Sequence, residues 1–189
     1  MSTSAIVIAV IVAIAVIVVA FLIIRVQRSQ KLKARFGPEY QRAVEESGGR
    51  LRAEAKLANL EKRVKGYEIR PLSPEARTNF VMNWHKVQSR FVDDPRGALA
   101  EADKLIRSIM AARGYPVTDF EQQAADISVD HPLVVENYRA GHEISLRHAE
   151  GRASTEDMRQ AMIHYRTLFT ELAEEPEPVR TMTGRAARA

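Results

Sequence analysis

The sequence predicts an all-α protein with three parts: an N-terminal transmembrane helix, a basic helical stalk and a small helical bundle. Three observations predict it. Residues 5–24 are twenty consecutive apolar positions without a charge, Gly or Pro. Beyond them, apolar residues recur every three or four positions, and the runs are punctuated by helix-start signals such as Ser73-Pro74-Glu75. No segment shows the apolar–polar alternation of a strand, and no fixed repeat of about 20–50 residues is present.

The apolar run sets the first element. At about 1.5 Å of rise per residue, a twenty-residue helix crosses a hydrocarbon core of about 30 Å. Its many Val and Ile residues are poor helix formers in water, but in lipid the backbone must satisfy its own hydrogen bonds. A cleaved secretory signal would carry a basic start, a shorter apolar core and a small-residue cleavage site after it. Met1-Ser2-Thr3-Ser4 has no Lys or Arg, and Ala13-Ile14-Ala15 lies inside the run. The segment therefore reads as an uncleaved anchor. All the positive residues near the span follow it, which predicts a short outward-facing N-terminus (residues 1–4) and a cytoplasmic C-terminal part. The absence of cysteine agrees with a reducing compartment.

The formal charge of +4 is unevenly distributed. Residues 25–70, the stalk, carry 13 Lys and Arg against 6 Asp and Glu. Residues 71–175, the bundle, carry 12 against 17, and the tail 176–189 carries 3 against 1. A nucleic-acid-binding module needs its basic residues on the module itself, so the acidic bundle argues against nucleic acid as a partner. Arg25, Arg28, Lys31, Lys33 and Arg35 follow the span directly and are expected to contact anionic lipid head groups, at about 1 kcal/mol each.

Each helix has its own signals. Gly37-Pro38-Glu39 starts one, with Tyr40, Val44, Ser47 and Leu51 as its stripe. Gly48-Gly49 breaks it, and Ala53, Leu57, Leu60 and Val64 form a second, narrow stripe. Ser73-Pro74-Glu75 opens a helix that buries Ala76, Phe80, Trp84, Val87 and Phe91. Asp93-Asp94-Pro95 stops it and caps the next, whose face is Ala98, Leu99, Ala102, Leu105, Ile106, Ile109 and Met110. Arg113-Gly114 closes that helix with a cation and a left-handed glycine. Thr118 and Glu121 have capping-box spacing for a short helix to about Ile127. Asp130-His131-Pro132 begins a longer helix to about Glu150. Ser154-Thr155-Glu156-Asp157 starts the last helix, whose core residues are Met158, Met162, Tyr165, Leu168, Phe169 and Leu172. Pro176 and Pro178 end it, and the tail of residues 176–189 is too poor in apolar residues to fold.

Templates for catalysis and cofactors are missing. There is no cysteine nucleophile, glycine-rich phosphate loop or G-x-S-x-G elbow. None of the five histidines has a carboxylate three residues before it, as a di-iron bundle requires. His142-Glu143 lacks the second histidine of a zinc-protease helix. No catalytic residue, cofactor or metal is therefore expected. One polar residue sits oddly: His142 falls near the centre of an apolar face made by Val135, Tyr138, Leu146 and Ala149. Such a residue is ordinarily a core histidine satisfied by hydrogen bonds, with Tyr138 as candidate partner. The sharper alternative is a ligand or pH-sensing site made by Tyr138, His142 and Asp130. The aspartates at helix starts, Asp93, Asp94, Asp119, Asp126 and Asp130, read mainly as caps.

Several unrelated strings occur in order: Ile69-Arg70-Pro71-Leu72-Ser73-Pro74-Glu75, Arg90-Phe91-Val92-Asp93-Asp94-Pro95, Arg113-Gly114-Tyr115-Pro116, Asp119-Phe120-Glu121 and Ser128-Val129-Asp130-His131-Pro132. With Val135-Glu136-Asn137-Tyr138-Arg139 and His164-Tyr165-Arg166, they resemble a family of uncharacterised bacterial single-pass membrane proteins over most of the soluble part. With the anchor, the basic stalk and the inward orientation, the expected location is a bacterial inner (plasma) membrane. The resemblance implies no activity, cofactor or catalytic residue. The expectation is a non-enzymatic, membrane-anchored interaction or scaffold domain with a protein partner of unknown identity. The alternative is a small-ligand-binding or enzymatic helical domain with a site near His142.

Overall fold

The structure, a computed structural model, describes residues 3–174, with side chains from residue 11 to residue 173. The expected outward N-terminus, residues 1–4, begins outside the described residues, and the expected disordered tail, residues 176–189, lies wholly outside them. The protein is all-α. Among the described residues there are eight helices and no strand: α1 (Thr3–Phe36), α2 (Pro38–Ser47), α3 (Arg50–Val64), α4 (Pro74–Arg90), α5 (Pro95–Arg113), α6 (Phe120–Ser128), α7 (Val135–Ala149) and α8 (Thr155–Glu174). The stretch Ile11–Phe36 of α1 is long and apolar enough to cross a membrane, and none of its apolar window is buried in the protein.

The chain divides into two compact units. The first is Met1–Gly66 together with Ala125–Leu133; the second is Tyr67–Ala124 with Val134–Ala189. The division after Gly66 falls a few residues before the expected one at 70/71, and a short segment expected in the bundle belongs with the first unit.

In the first unit α1 runs unbroken past the apolar span, because neither Gly nor Pro interrupts residues 25–36. Its last turns bury Leu32 and Phe36. Gly37, at φ 49°, ends it, and Pro38 occupies the first turn of α2. Gly48, at φ 67°, caps α2 in the left-handed region, and the two-glycine turn folds α3 back along α2. The break expected at Gly48-Gly49 is there. Ala53, Leu57, Leu60 and Val64 are all buried. Leu51 departs from its expected stripe. Lying beyond the break, on α3, it is 65% exposed. Arg50 Nη2 donates to Ser29 Oγ at 3.1 Å, and Arg35 Nη1 to Glu61 Oε1 at 2.9 Å. Near residues pair with near and far with far, so α1 and α3 run in the same direction. Ala125–Leu133 is tied to this unit by Arg63, whose Nε and Nη2 both donate to Asp126 Oδ1, at 3.1 and 2.6 Å. Arg35 Nε also donates to the Val129 carbonyl at 3.4 Å.

In the second unit the caps follow the local chemistry. Ser73 Oγ accepts from the Ala76 N–H at 3.1 Å, and Asp94 Oδ1 from the Gly97 N–H at 2.9 Å. Ser154 and Asp157 cap each other reciprocally, with N–H to side-chain distances of 3.1 and 2.8 Å. At α6 the cap is Asp119, which accepts from the Gln122 N–H at 3.0 Å, rather than Thr118 one residue earlier. A carboxylate is the stronger acceptor at a positive helix end. The core gathers Trp84, Leu99, Ile106, Ile109, Met110, Tyr165, Leu168, Phe169 and Leu172. The α4 stripe is narrower than expected: Trp84 and Val87 are buried, while Ala76, Phe80 and Phe91 are half-buried.

Helix α7 begins at Val135 rather than around Pro132, after a turn. Its buried row is Val135, Tyr138, Gly141 and Ile144, whereas Leu146 is 54% exposed. A three-residue row winds obliquely round a helix and follows a neighbour that crosses it at an angle. Gly141 permits a close approach of α8: a Cβ there would lie 3.3 Å from the Tyr165 ring.

Gly114 closes α5 at φ 98°, and a Cβ there would collide with the Glu68 carbonyl oxygen. Arg70 N–H donates to the Arg113 carbonyl at 2.8 Å and holds that backbone in place. Gly114→Ala is therefore expected to lose more than the ~1–2 kcal/mol of the left-handed conformation alone. A denaturant melt of the full chain in detergent reads it; an unchanged midpoint would contradict the close approach.

Candidate functional site

Two places gather chemistry-bearing side chains, one in each unit. The first lies where α1 leaves its apolar run. At 100° per residue, the five expected head-group residues cannot share one face. Arg25 and Lys33 line one cleft, of about 390 Å³, with Val26, Ser29, Gln30, Arg50, Leu51 and Glu54. Arg28, Lys31 and Arg35 line another, of about 310 Å³, with Leu32, Ala58, Glu61, Lys62 and Lys65. Helix α3 and its C-cap thus add Arg50, Lys62 and Lys65 to the cations read from the sequence. Their sequence signal is the one-turn spacing of Arg50 with Glu54 and of Glu61 with Lys65, beside the buried stripe of α3.

Each cleft holds one carboxylate, and each is kept ionised. Burial works to raise the Glu54 pKa, but hydrogen bonds from Ser29 and Tyr40 and the charges of Arg50 and Arg25 outweigh it, and the net shift is downward. Tyr40 OH donates to Glu54 Oε1 at 2.9 Å. Glu61 is lowered by its bond from Lys65, against burial, with help from Arg35 and Lys31. Its Oε1 lies 2.9 Å from both Arg35 Nη1 and Lys65 Nζ. Arg25, Arg28, Lys31 and Lys62 have no carboxylate within ion-pair distance among the described residues. Both clefts are therefore net positive.

The second place is a polar cluster in the second unit, and it corrects the expected trio. Asp130 is not part of it. Its N–H bonds to the Ile127 carbonyl at 3.2 Å as α6 ends, and its carboxylate faces Arg35 Nη2 at 3.8 Å in the first unit. The turn at Pro132 separates Asp130 from α7, so it does not cap that helix either; Val134 stands at the N-cap. Nor does Tyr138 pair with His142. Tyr138 OH donates to Gln123 Oε1 at 3.4 Å, and its ring lies against Phe120 at 4.8 Å. His142 is half-buried and stacks flat on Phe120, with centroids 3.6 Å apart and planes within 10°.

Sequence reasoning missed the centre of this cluster, which is Asp103. Its Oδ1 accepts from Tyr165 OH at 3.1 Å, and its Oδ2 lies 2.5 Å from Arg107 Nη2. Ser145 Oγ is 3.3 Å from the Tyr165 hydroxyl. Tyr138 and Tyr165 are both pushed upward, first by burial and then by the Asp103 charge, so both phenols stay neutral. Gln123 is 1% exposed, and its Nε2 has no partner among the described residues. Neutral phenols, a carboxylate held by Arg107 and an imidazole covered by Phe120 fasten α5, α7 and α8 together. Among the described residues no three His, Asp or Glu side chains are placed to hold a metal ion.

Burial lowers the His142 pKa, with Asp103 and Glu121 pulling it up and Arg107 adding to the depression. The folded state then binds fewer protons than the unfolded one between that lowered pKa and the ordinary value of about 6.5. Stability is therefore expected to fall as pH drops through this window, and to level off below the folded pKa. His142→Gln should flatten that part of the profile in urea melts at stepped pH. A stability that rises on acidification would reverse the assignment.

Compared with protein-family models, curated proteins and solved structures, the chain matches none.

Proposed function

We propose that this protein is a single-pass, membrane-anchored interaction or scaffold domain without catalytic activity, on the cytoplasmic face of a bacterial inner membrane. The observation that carries this reading is helix α1, in which an apolar stretch sufficient for a membrane span, with none of its apolar window buried, continues directly into a folded, cation-rich helical unit. An apolar window left uncovered by protein calls for another apolar environment. The cations, all C-terminal to the apolar run, support the inward orientation and contact with anionic lipid. The resemblance to a family of bacterial single-pass membrane proteins belongs to the same proposal. This reading takes the partner to be a protein of unknown identity, and the acidic balance of residues 71–175 argues against nucleic acid.

Reporter fusions at the C-terminus test the topology. A fluorescent protein that matures only in the cytoplasm is expected to be bright there, and alkaline phosphatase inactive. The opposite pair of results would place the helical units outside the cytoplasm and end this reading.

A further inference from the structure

We propose that the cleft between α1 and α3 lined by Arg25, Ser29, Lys33 and Arg50 is a binding site for the phosphate of an anionic phospholipid, with Val26, nearer the apolar run, against its glycerol and upper acyl region and Leu51 beside the head group. This rests on the membrane reading above and gives it a defined ligand.

Depth is the first argument. The apolar run ends at Ile24, and Ser29 lies about 7–8 Å further along the helix. The head-group layer is about 5–8 Å thick on each side of the hydrocarbon core. Arg50 is brought to the same depth by the Gly48-Gly49 turn, because its Nη2 reaches Ser29 Oγ at 3.1 Å. The second basic cleft extends further from the span, from Arg28 at about 6 Å beyond Ile24 to Arg35 at about 16 Å. Its shallow end at Arg28 also reaches the head-group layer, but its Glu61 carboxylate already pairs with Arg35 and Lys65, and no exposed apolar side chain is among its lining residues.

Chemistry is the second. The cleft holds three cations, Arg25, Lys33 and Arg50, against the single carboxylate of Glu54. Hydrogen bonds from Tyr40 and Ser29 occupy that carboxylate. Arg25 has no counter-charge in ion-pair reach among the described residues, and Lys33 lies over the Tyr40 ring at 5.5 Å. Guanidinium groups suit phosphate oxygens because their N–H donors form a planar fork.

Shape is the third. The volume of about 390 Å³ is within the range of small-ligand sites. Two apolar side chains on its lining are left open, Val26 at 55% and Leu51 at 65% exposure. An exposed leucine beside two arginines is poorly placed in water but well placed at a lipid interface, where apolar and phosphate surfaces adjoin.

The full chain in neutral detergent, titrated with phosphatidylglycerol or phosphatidylcholine and read by native mass spectrometry, tests the site. Phosphatidylglycerol is expected to be retained and phosphatidylcholine not. Arg25→Gln breaks no ion pair among the described residues, and it should lower retention by roughly tenfold, as should Arg50→Gln. Arg52→Gln, which removes the same charge from the same helix outside the cleft, should change it by less than about twofold. Equal losses from all three variants would show diffuse surface charge and overturn the site. Inorganic phosphate is expected not to displace the lipid; displacement at millimolar phosphate would make the site one for free phosphate and overturn the lipid assignment. Alkaline carbonate extraction of cell membranes separates this from the reading beneath it. A chain that stays in the pellet but shows no preference for phosphatidylglycerol loses only the cleft. A chain that is extracted loses both.

Discussion

Trp84→Ala is expected to lower stability by about 3–5 kcal/mol, the range for removing a large aromatic from a packed core. Trp84 is 4% exposed, and its indole stacks on Phe169 with centroids 4.7 Å apart and planes within 13°. The substitution therefore loses burial, leaves a cavity and removes a stacked pair that contributes about 0.5–1.5 kcal/mol beyond its area. Against a whole-domain stability of about 5–15 kcal/mol, that loss unfolds a sizeable share of molecules. Because Trp84 is the only tryptophan, its emission reports on this site alone. Emission should be blue-shifted and resist acrylamide in the native chain, and the melting temperature of the variant should drop. A red-shifted, readily quenched indole whose loss leaves the melt unchanged would make Trp84 a docking residue.

Arg63→Ala is expected to be the most damaging loss of an ion pair in the first unit, at up to about 3 kcal/mol. The Asp126 side chain is 1% exposed and takes both bonds from Arg63, while the Arg63 side chain is 42% exposed. Removing the arginine leaves a buried carboxylate short of its main cation. That loss falls at the lower end of the buried-pair range because the arginine itself is half in water. Asp126→Asn is the informative contrast. It keeps an acceptor of the same shape, and Arg63 can turn to solvent, so its cost should be nearer ~1 kcal/mol. Circular dichroism melts of the two variants in detergent check the order. If Asp126→Asn is the worse of the two, Arg63 is a surface ion-pair partner only.

Much of the fold was legible because it is written locally. The Ser73, Asp94 and Ser154 caps, the Gly48-Gly49 break and the α3, α5 and α8 faces all depend on residues within a few positions of one another. Where the local signals were ambiguous, the reading slipped by small amounts: the α6 cap moved from Thr118 to Asp119 and the α7 start from Pro132 to Val135. The α7 face was a different kind of miss. Tyr138 and His142 lie on a plausible stripe with Leu146, yet the helix buries Ile144 instead, on the row with Gly141 that lies against the Tyr165 ring of α8. Periodicity reports that a helix has a wet and a dry side; it does not report the crossing angle that decides where the dry side ends.

The sites were less legible still. Arg25, Arg28, Lys31, Lys33 and Arg35 were visible as a cluster in the chain, but Arg50, Lys62 and Lys65 join them only through packing of α3 on α1. Asp103 gave no signal, since an acid four residues before Arg107 looks like any exposed helical ion pair. Only the burial of Tyr138 and Tyr165 makes it the centre of a cluster. Asp130 shows the converse: its nearness in sequence to Tyr138 suggested a shared site, and its carboxylate turns to Arg35 instead.

The amino-acid sequence by itself determined the all-α class, the apolar run, most of the helix ends and the concentration of cations after that run. These follow from helix rise, capping chemistry and composition, which act over one or two turns. Only the tertiary structure decided that the cations divide between two clefts, that residues 125–133 pack with the first unit, and that His142 lies under Phe120 rather than beside Tyr138. Those outcomes depend on contacts between residues up to about a hundred positions apart, such as Arg35 with the Val129 carbonyl. Burial and charge pairing select such contacts, and spacing along the chain carries no record of them.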